Sequence, residues 1–245
     1  MKAIRFVGAH QPAEITDVPE PRPGPGEVVV AVGAAGLCHS DLHILDGSFP
    51  VPAPMTLGHE VAGRVLEVGA GVDDTGPTGT RFVLKGTLQG PRPGLGDDGG
   101  LAERVLVPAS YLMPIPDGIG MGQAAVATES VATAYHAVKD VGGVRLGETV
   151  GIIGLGGLRL NAVSIAAMAG AWGSKRQELA EVLDLIAAGR ISSVLEEISL
   201  DEVPEGYARL HRGEVPGRLV AMIDQADGHN RKATTRDLTG GDGSG

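Results

Sequence analysis

Glu60-Val61-Ala62-Gly63-Arg64-Val65-Leu66-Glu67-Val68 runs straight into Gly69-Ala70-Gly71, and the two together read as one β-strand closed by a turn. The same pattern recurs on either side. Glu27 to Val32 follows Pro21-Arg22-Pro23-Gly24-Pro25-Gly26, and Arg81 to Leu84 and Leu101 to Val107 flank a loose stretch from Gly86 to Gly100. Short strands so closely spaced across residues 1–115 predict a compact barrel or a sandwich. Composition agrees: 39 Gly, 16 Pro and only 3% aromatics favour a turn-rich β protein over a helical bundle. With 42% of its 245 residues hydrophobic, the chain can build one substantial core, or one domain and a fragment of a second.

The pattern changes after residue 120. Ala, Val and Tyr recur at helical spacing over 121–140, where Pro is absent. Glu148 to Arg159 then reads as a buried strand, Thr149 to Ile153, entering a glycine turn, with a helix following from Leu160 to Ala169. A second helix is expected from Lys175 to Ala188, with Ser174 as N-cap and Gly189 as stop. Strand-like segments at Ser193 to Leu200 and Arg218 to Ile223 flank a short helix from Pro204 to Arg212. Residues 225–245 are polar and Gly-rich and are expected to be a disordered tail.

Charge and cysteine content exclude several classes. A net charge of −10 without any Lys/Arg run gives neither nucleic acid nor an anionic membrane a reason to bind. No apolar stretch approaches the ~20 residues of a membrane span. The start, Met1 to Val7, reads as a strand without the apolar core of a signal peptide. The single cysteine, Cys38, excludes an internal disulfide and a four-cysteine zinc knot. A cytoplasmic protein is expected.

The chemistry is concentrated in Cys38-His39-Ser40-Asp41-Leu42-His43, Gly58-His59-Glu60 and Glu129. Zinc favours thiolate, imidazole and carboxylate donors, and a catalytic site leaves one position open. Cys38, His59 and Glu129 offer one of each, Glu60 offers a fourth donor, and Asp41 offers a carboxylate to fix the second nitrogen of His59. Taken singly, each has an ordinary reading: a buried thiol, a turn histidine, a solvated helix glutamate.

Together, and in this order, they resemble the zinc-dependent medium-chain dehydrogenase/reductase family, the alcohol dehydrogenases. The resemblance extends over residues 1–224 through Pro23 to Val28, Gly99 to Val105, Ala132 to Val138, Gly154 to Leu158, Trp172 to Leu179 and Gly213 to Arg218. It implies a mainly β fold with helices: a GroES-like β-barrel catalytic domain, normally interrupted by a Rossmann domain. Residues 1–147 would be the zinc catalytic domain, 148–171 a truncated Rossmann remnant of one βα unit, and 172–224 the segment that completes the catalytic domain. By position, the resemblance makes Cys38, His59 and Glu129 the ligands of one catalytic Zn2+, and Glu60 the glutamate that exchanges with water on the metal. Ser40 and His43 become the proton relay, Asp41 the carboxylate behind a ligand, and His39 a residue at the cofactor pyrophosphate.

The chain departs from that family in three places. Glu129 is one methylene longer than the usual Asp, so backbone or metal must shift to keep a bond of ~2.0–2.2 Å. Residues 85–99, where four structural-zinc cysteines would fall, contain none. A dinucleotide domain needs about 120 residues, whereas residues 148–171 hold one βα unit. Its turn keeps Gly154, Gly156 and Gly157, but the third fingerprint glycine is Arg159, and the position of the ribose-gripping acid has already reached Lys175-Arg176.

The glycines are therefore read as vestigial, and NAD(P) binding is not expected. The preferred expectation is a zinc enzyme acting on a small carbonyl or alcohol substrate by redox-neutral Lewis-acid and proton-relay chemistry. The alternatives are an ordinary NAD(P)-dependent alcohol dehydrogenase and a non-catalytic scaffold or remnant. Loss of the Rossmann strands predicts a rearranged interface, or a monomer whose strand at 149–153 is shielded by the helix at 175–188.

Overall fold

The computed structural model describes residues 1–72, 79–85, 90–144, 151, 156–165 and 176–223. The first half contains β1 (Lys2–Phe6), β2 (Glu14–Asp17), β3 (Glu27–Gly36), α1 (His39–Leu45), β4 (Met55–Thr56), β5 (Glu60–Val68), β6 (Arg81–Leu84), β7 (Arg104–Pro108) and β8 (Leu112–Pro114). There follow α2 (Met121–Val126), α3 (Ala132–His136), α4 (Gly157–Ile165), α5 (Arg176–Ala187), β9 (Leu195–Ser199), α6 (Val203–His211) and β10 (Arg218–Met222).

The long valine-rich β3 organises the larger sheet. One edge pairs antiparallel with β5, while the other is shared end to end by β7, at Glu27 to Ala31, and β10, at Ala34 to Gly36. The resulting order is β8-β6-β5-β3-β10-β9, with β7 also on β3. Only the β9–β10 pairing of this sheet is parallel among the described residues. A smaller sheet, β2-β1-β4, joins it through Ile4, whose amide donates to the Leu101 carbonyl at 2.8 Å. Residues near the C-terminal end of the described chain thus complete a sheet begun at residue 27.

A register shift between Val32 and Ala34 lets β3 serve two cores. Before it Val28, Val30 and Val32 face the barrel interior, and after it Ala35 and Leu37 do. An extra residue in one strand reverses the side-chain alternation. Ala34 is thereby turned, with Ala62, Val83 and Val220, toward a second core under the helices, formed with Val131, Leu179, Val182 and Leu183.

Strands β5 and β6 have the bounds read from the sequence. The segment expected as a strand from Leu101 begins only at Arg104. Gly99, Gly100 and Leu101 instead donate to the carbonyls of Thr56, Gly58 and Leu57 at 2.8–2.9 Å, wrapping the turn before His59. The helical stretch 121–140 is present but broken by π turns at Ala127–Val131 and Ala137–Val141. In the first, the Thr128 carbonyl accepts the Lys85 ammonium from across the sheet at 2.8 Å, a partner outside the helical ladder.

Helix α5 buries Leu179, Val182 and Leu183, the i, i+3, i+4 stripe of an amphipathic helix. It ends at Gly189 as expected, in the left-handed region at φ 67°. The amides of Gly189 and Arg190 close back on Ile186 and Leu185, each at 2.9 Å, satisfying carbonyls left open by the last turn. Helix α4 is tied to the first π turn and to the segment before β9 by a buried chain in which Asn161 donates to Ser130 and accepts from Ser193, both at 2.9 Å. The expected strand at 149–153 (apart from Gly151), Gly154, the Arg159 side chain, the Ser174 cap and the tail at 225–245 lie outside the described residues. Among those described, no helix is long and apolar enough to cross a membrane.

Candidate metal centre

The centre begins where β3 ends. Cys38 is the N-cap of α1 in extended backbone, and Asp41, three residues on, accepts the Cys38 amide on Oδ2 at 2.9 Å. That bond satisfies one of the donors that every helix N-terminus leaves open. It also fixes Asp41, wholly buried, so that Oδ1 lies 3.4 Å from Nδ1 of the buried His59. This contact lacks hydrogen-bond geometry, and neither atom has another hydrogen-bond partner among the described residues.

His59 reaches this place through Gly58, whose φ of 98° is unfavourable for other residues. A Cβ on Gly58 would stand 2.6 Å from the Leu101 amide nitrogen, so the turn has room only for glycine. Burial disfavours an imidazolium at His59, yet the Asp41 carboxylate and the Cys38 sulfur hold its pKa well above the ordinary histidine value. Burial likewise raises the Cys38 thiol, but Arg218 and His59 bring it below the usual cysteine range. The metal-free site favours a thiolate beside an imidazolium, and a metal binding there would displace a proton from the ring.

Glu60 is fully buried and held by a residue that sequence reading missed. Arg218, at the start of β10, donates from Nε to Glu60 Oε2 at 3.0 Å and from Nη2 to Oε1. The carboxylate lies directly over Gly36, its partner in the β3–β5 register, where a Cβ would fall 2.1 Å from Oε2. Glu60 therefore sits beside the centre as one half of a buried, bidentate ion pair, a geometry suited to the planar guanidinium.

Glu129 stands in the first π turn and has also acquired a cation. Lys85, buried just past the end of β6, donates to Glu129 Oε1 at 2.9 Å, and Thr133 donates to Oε2 at 3.0 Å. Burial raises this carboxyl, but Lys85 and then His59 lower it below the ordinary value. Lys85 could have been noticed as a lone lysine ending an apolar strand, Arg81-Phe82-Val83-Leu84, but nothing local in the sequence names its partner.

Ser40 Oγ lies 3.6 Å from Cys38 Sγ. His43, one turn further along α1, is exposed, with Nδ1 3.3 Å from Ser48 Oγ and 3.7 Å from Asp46. His39 is on the same turn, its pKa lowered by burial and by Arg218. Tyr207 on α6 is a second missed neighbour: its buried hydroxyl has no hydrogen-bond partner among the described residues, and burial and the Asp41 charge push its pKa well up. Of the glycine turn, Gly156 and Gly157 open α4, away from these groups in sequence; Gly157 packs on the Gly217 carbonyl.

The donor chemistry suits zinc. Cys38, His59 and Glu129 supply sulfur, nitrogen and oxygen, and the unpartnered Nδ1 of His59 facing Asp41 is the arrangement that orients a ligating imidazole. As they stand, the three are not drawn into a tight cluster. Among the described residues only His136, Asp140 and Glu178 bring three candidate ligand atoms within 4.8 Å of one another. That group is an ion pair joining α3 to α5, with His136 Nδ1 2.6 Å from Glu178.

Comparison with known proteins places this geometry in context. Residues 24–117 match the alcohol dehydrogenase GroES-like domain. An alcohol dehydrogenase of Geobacillus stearothermophilus is 36% identical over 186 residues, covering 68% of this chain and 55% of that protein. The chain spans about half the length of the curated relatives it matches, 50–54% for the first three. Acetophenone reductase from Geotrichum candidum, solved in complex with NAD, superposes with a TM-score of 0.84 at 27% identity, covering 92% of this chain and 98% of that one. A cobalt- and zinc-bound alcohol dehydrogenase from Pyrobaculum aerophilum shares the fold, with a TM-score of 0.81 at 20% identity over 91% of this chain and 99% of its own.

Proposed function

The chain belongs to the zinc-dependent medium-chain dehydrogenase/reductase family, that of the alcohol dehydrogenases, and from that premise we propose that it holds one catalytic zinc on Cys38, His59 and Glu129 and acts on a small carbonyl or alcohol without a nicotinamide. The observation that carries the metal assignment is the buried His59–Asp41 contact beside the depressed Cys38 thiol. Bound there, zinc would polarise a carbonyl or lower the pKa of a hydroxyl or water.

The protein's own groups supply the rest. Asp41 lies on the Nδ1 side of the His59 ring, which would leave Nε2 to hold the metal. Ser40 lies beside Cys38 and His43 is exposed one turn along α1; in the proposed relay a proton from the substrate oxygen would pass by way of Ser40 and His43 to water. Glu60 is neutralised by Arg218 and keeps its negative charge off the substrate. Redox-neutral chemistry such as hydration, elimination or rearrangement fits these parts. It is favoured by the short span between the second π turn and α5, residues 142–175, where a dinucleotide domain of about 120 residues would stand.

A second reading, NAD(P)-dependent alcohol oxidation, draws on the NAD complex of the Geotrichum relative. A substrate screen with and without nicotinamide separates the two. Zinc-dependent turnover of a carbonyl substrate without NAD(P), lost in Ser40→Ala, is expected. Turnover that requires NAD+ or NADP+ would select the dehydrogenase instead.

A further inference from the structure

We propose that Lys85 is a built-in competitor of the metal: its ammonium occupies the Glu129 carboxylate, and a zinc ion entering beside Cys38 and His59 gains Glu129 by displacing it. This rests on the metal assignment above and adds a residue that governs how tightly the metal is held.

The geometry is specific. Lys85 is 8% exposed and divides its donors between Glu129 Oε1, at 2.9 Å, and the Thr128 carbonyl, at 2.8 Å. A buried ammonium persists only where it is paired and hydrogen-bonded, and these two oxygens are its partners among the described residues. Thr133 occupies the second oxygen of Glu129. A hydroxyl bonded to a carboxylate can remain when that carboxylate ligates a metal, since such outer partners orient ligands. A cation on the same carboxylate cannot be neutral in this way: ammonium and zinc draw on the same lone pairs and the same charge.

Glu60 is held by Arg218 and Asp41 faces the His59 ring. Each carboxylate of the metal-free centre therefore has a cationic or imidazole partner, and the centre stands without zinc. On displacement, Lys85 keeps its bond to the Thr128 carbonyl in the π turn and so stays poised to return when zinc leaves. Loading is then reversible, and its affinity is set by the difference between two cations on one carboxylate.

Zinc affinity of the full chain, measured by competition with a chromophoric chelator, tests this. Lys85→Met keeps the apolar stem and removes the charge, and it should bind zinc about tenfold more tightly or better, the value of one charge-assisted hydrogen bond. Adding Glu129→Gln to that variant should abolish the gain. Lys85→Arg, whose fork grips a carboxylate more firmly, should bind zinc more weakly than the parent, and it remains informative if Lys85→Met fails to fold. The inference is overturned if the parent binds zinc in a Cys38-dependent manner while Lys85→Met binds it no more tightly, or if Lys85→Arg binds it equally well. No zinc uptake by either the parent or Lys85→Met would instead overturn the metal assignment itself.

Discussion

Asp41 does two jobs with its two oxygens. Oδ2 caps α1 through the Cys38 amide and Oδ1 faces His59. Asp41→Asn retains an oxygen for the cap but loses the charge that orients the imidazole, so zinc affinity should fall about 10- to 100-fold with little loss of fold; chelator competition and a thermal melt measured side by side check this. Gly36 is the complementary case. Gly36→Ala would put a methyl 2.1 Å from the Glu60 carboxylate, which Arg218 holds in place. We expect about 1–3 kcal/mol of destabilisation, the usual range for overpacking, from urea unfolding. Cys38, His59 and Asp41 were legible in the sequence because two short motifs carry them. Arg218 and Lys85 were not, because each finds its partner only through tertiary packing: Arg218 lies 158 positions from Glu60, and Lys85 lies 44 from Glu129.

Elements were legible wherever local periodicity and packing agree. Strand β5 runs from Glu60 to Val68 because its turn glycines and its buried face coincide, and α5 ends where Gly189 permits a left-handed cap. Strand β7 starts three residues later than alternation suggests, since Leu101 spends its amide on the Leu57 carbonyl in shaping the His59 turn. The π turn at 127–131 was invisible for a similar reason: the Lys85 bond to Thr128 comes from another layer of the fold. Docking of α4 depends on a polar chain that no pattern announces. Asn161→Ala would strip the buried Ser130 and Ser193 hydroxyls of their partner, and stability should fall by about 1–3 kcal/mol by urea unfolding.

At the scale of the molecule, β10 carries Arg218 into the sheet begun by β3, so the candidate metal centre and the closure of the fold share one residue. Arg218→Leu should therefore destabilise the chain by about 3–5 kcal/mol, the range for stripping one partner from a buried pair; urea unfolding gives the number. The barrel thus carries the proposed zinc donors Cys38, His59 and Glu129, while residues 142–175 leave little chain for a nucleotide domain. The most direct measurement is zinc per chain by elemental analysis of the purified protein beside Cys38→Ser. About one zinc in the parent and none in the variant is the predicted result. Zinc in neither protein, or zinc retained without the Cys38 thiolate, would contradict the account.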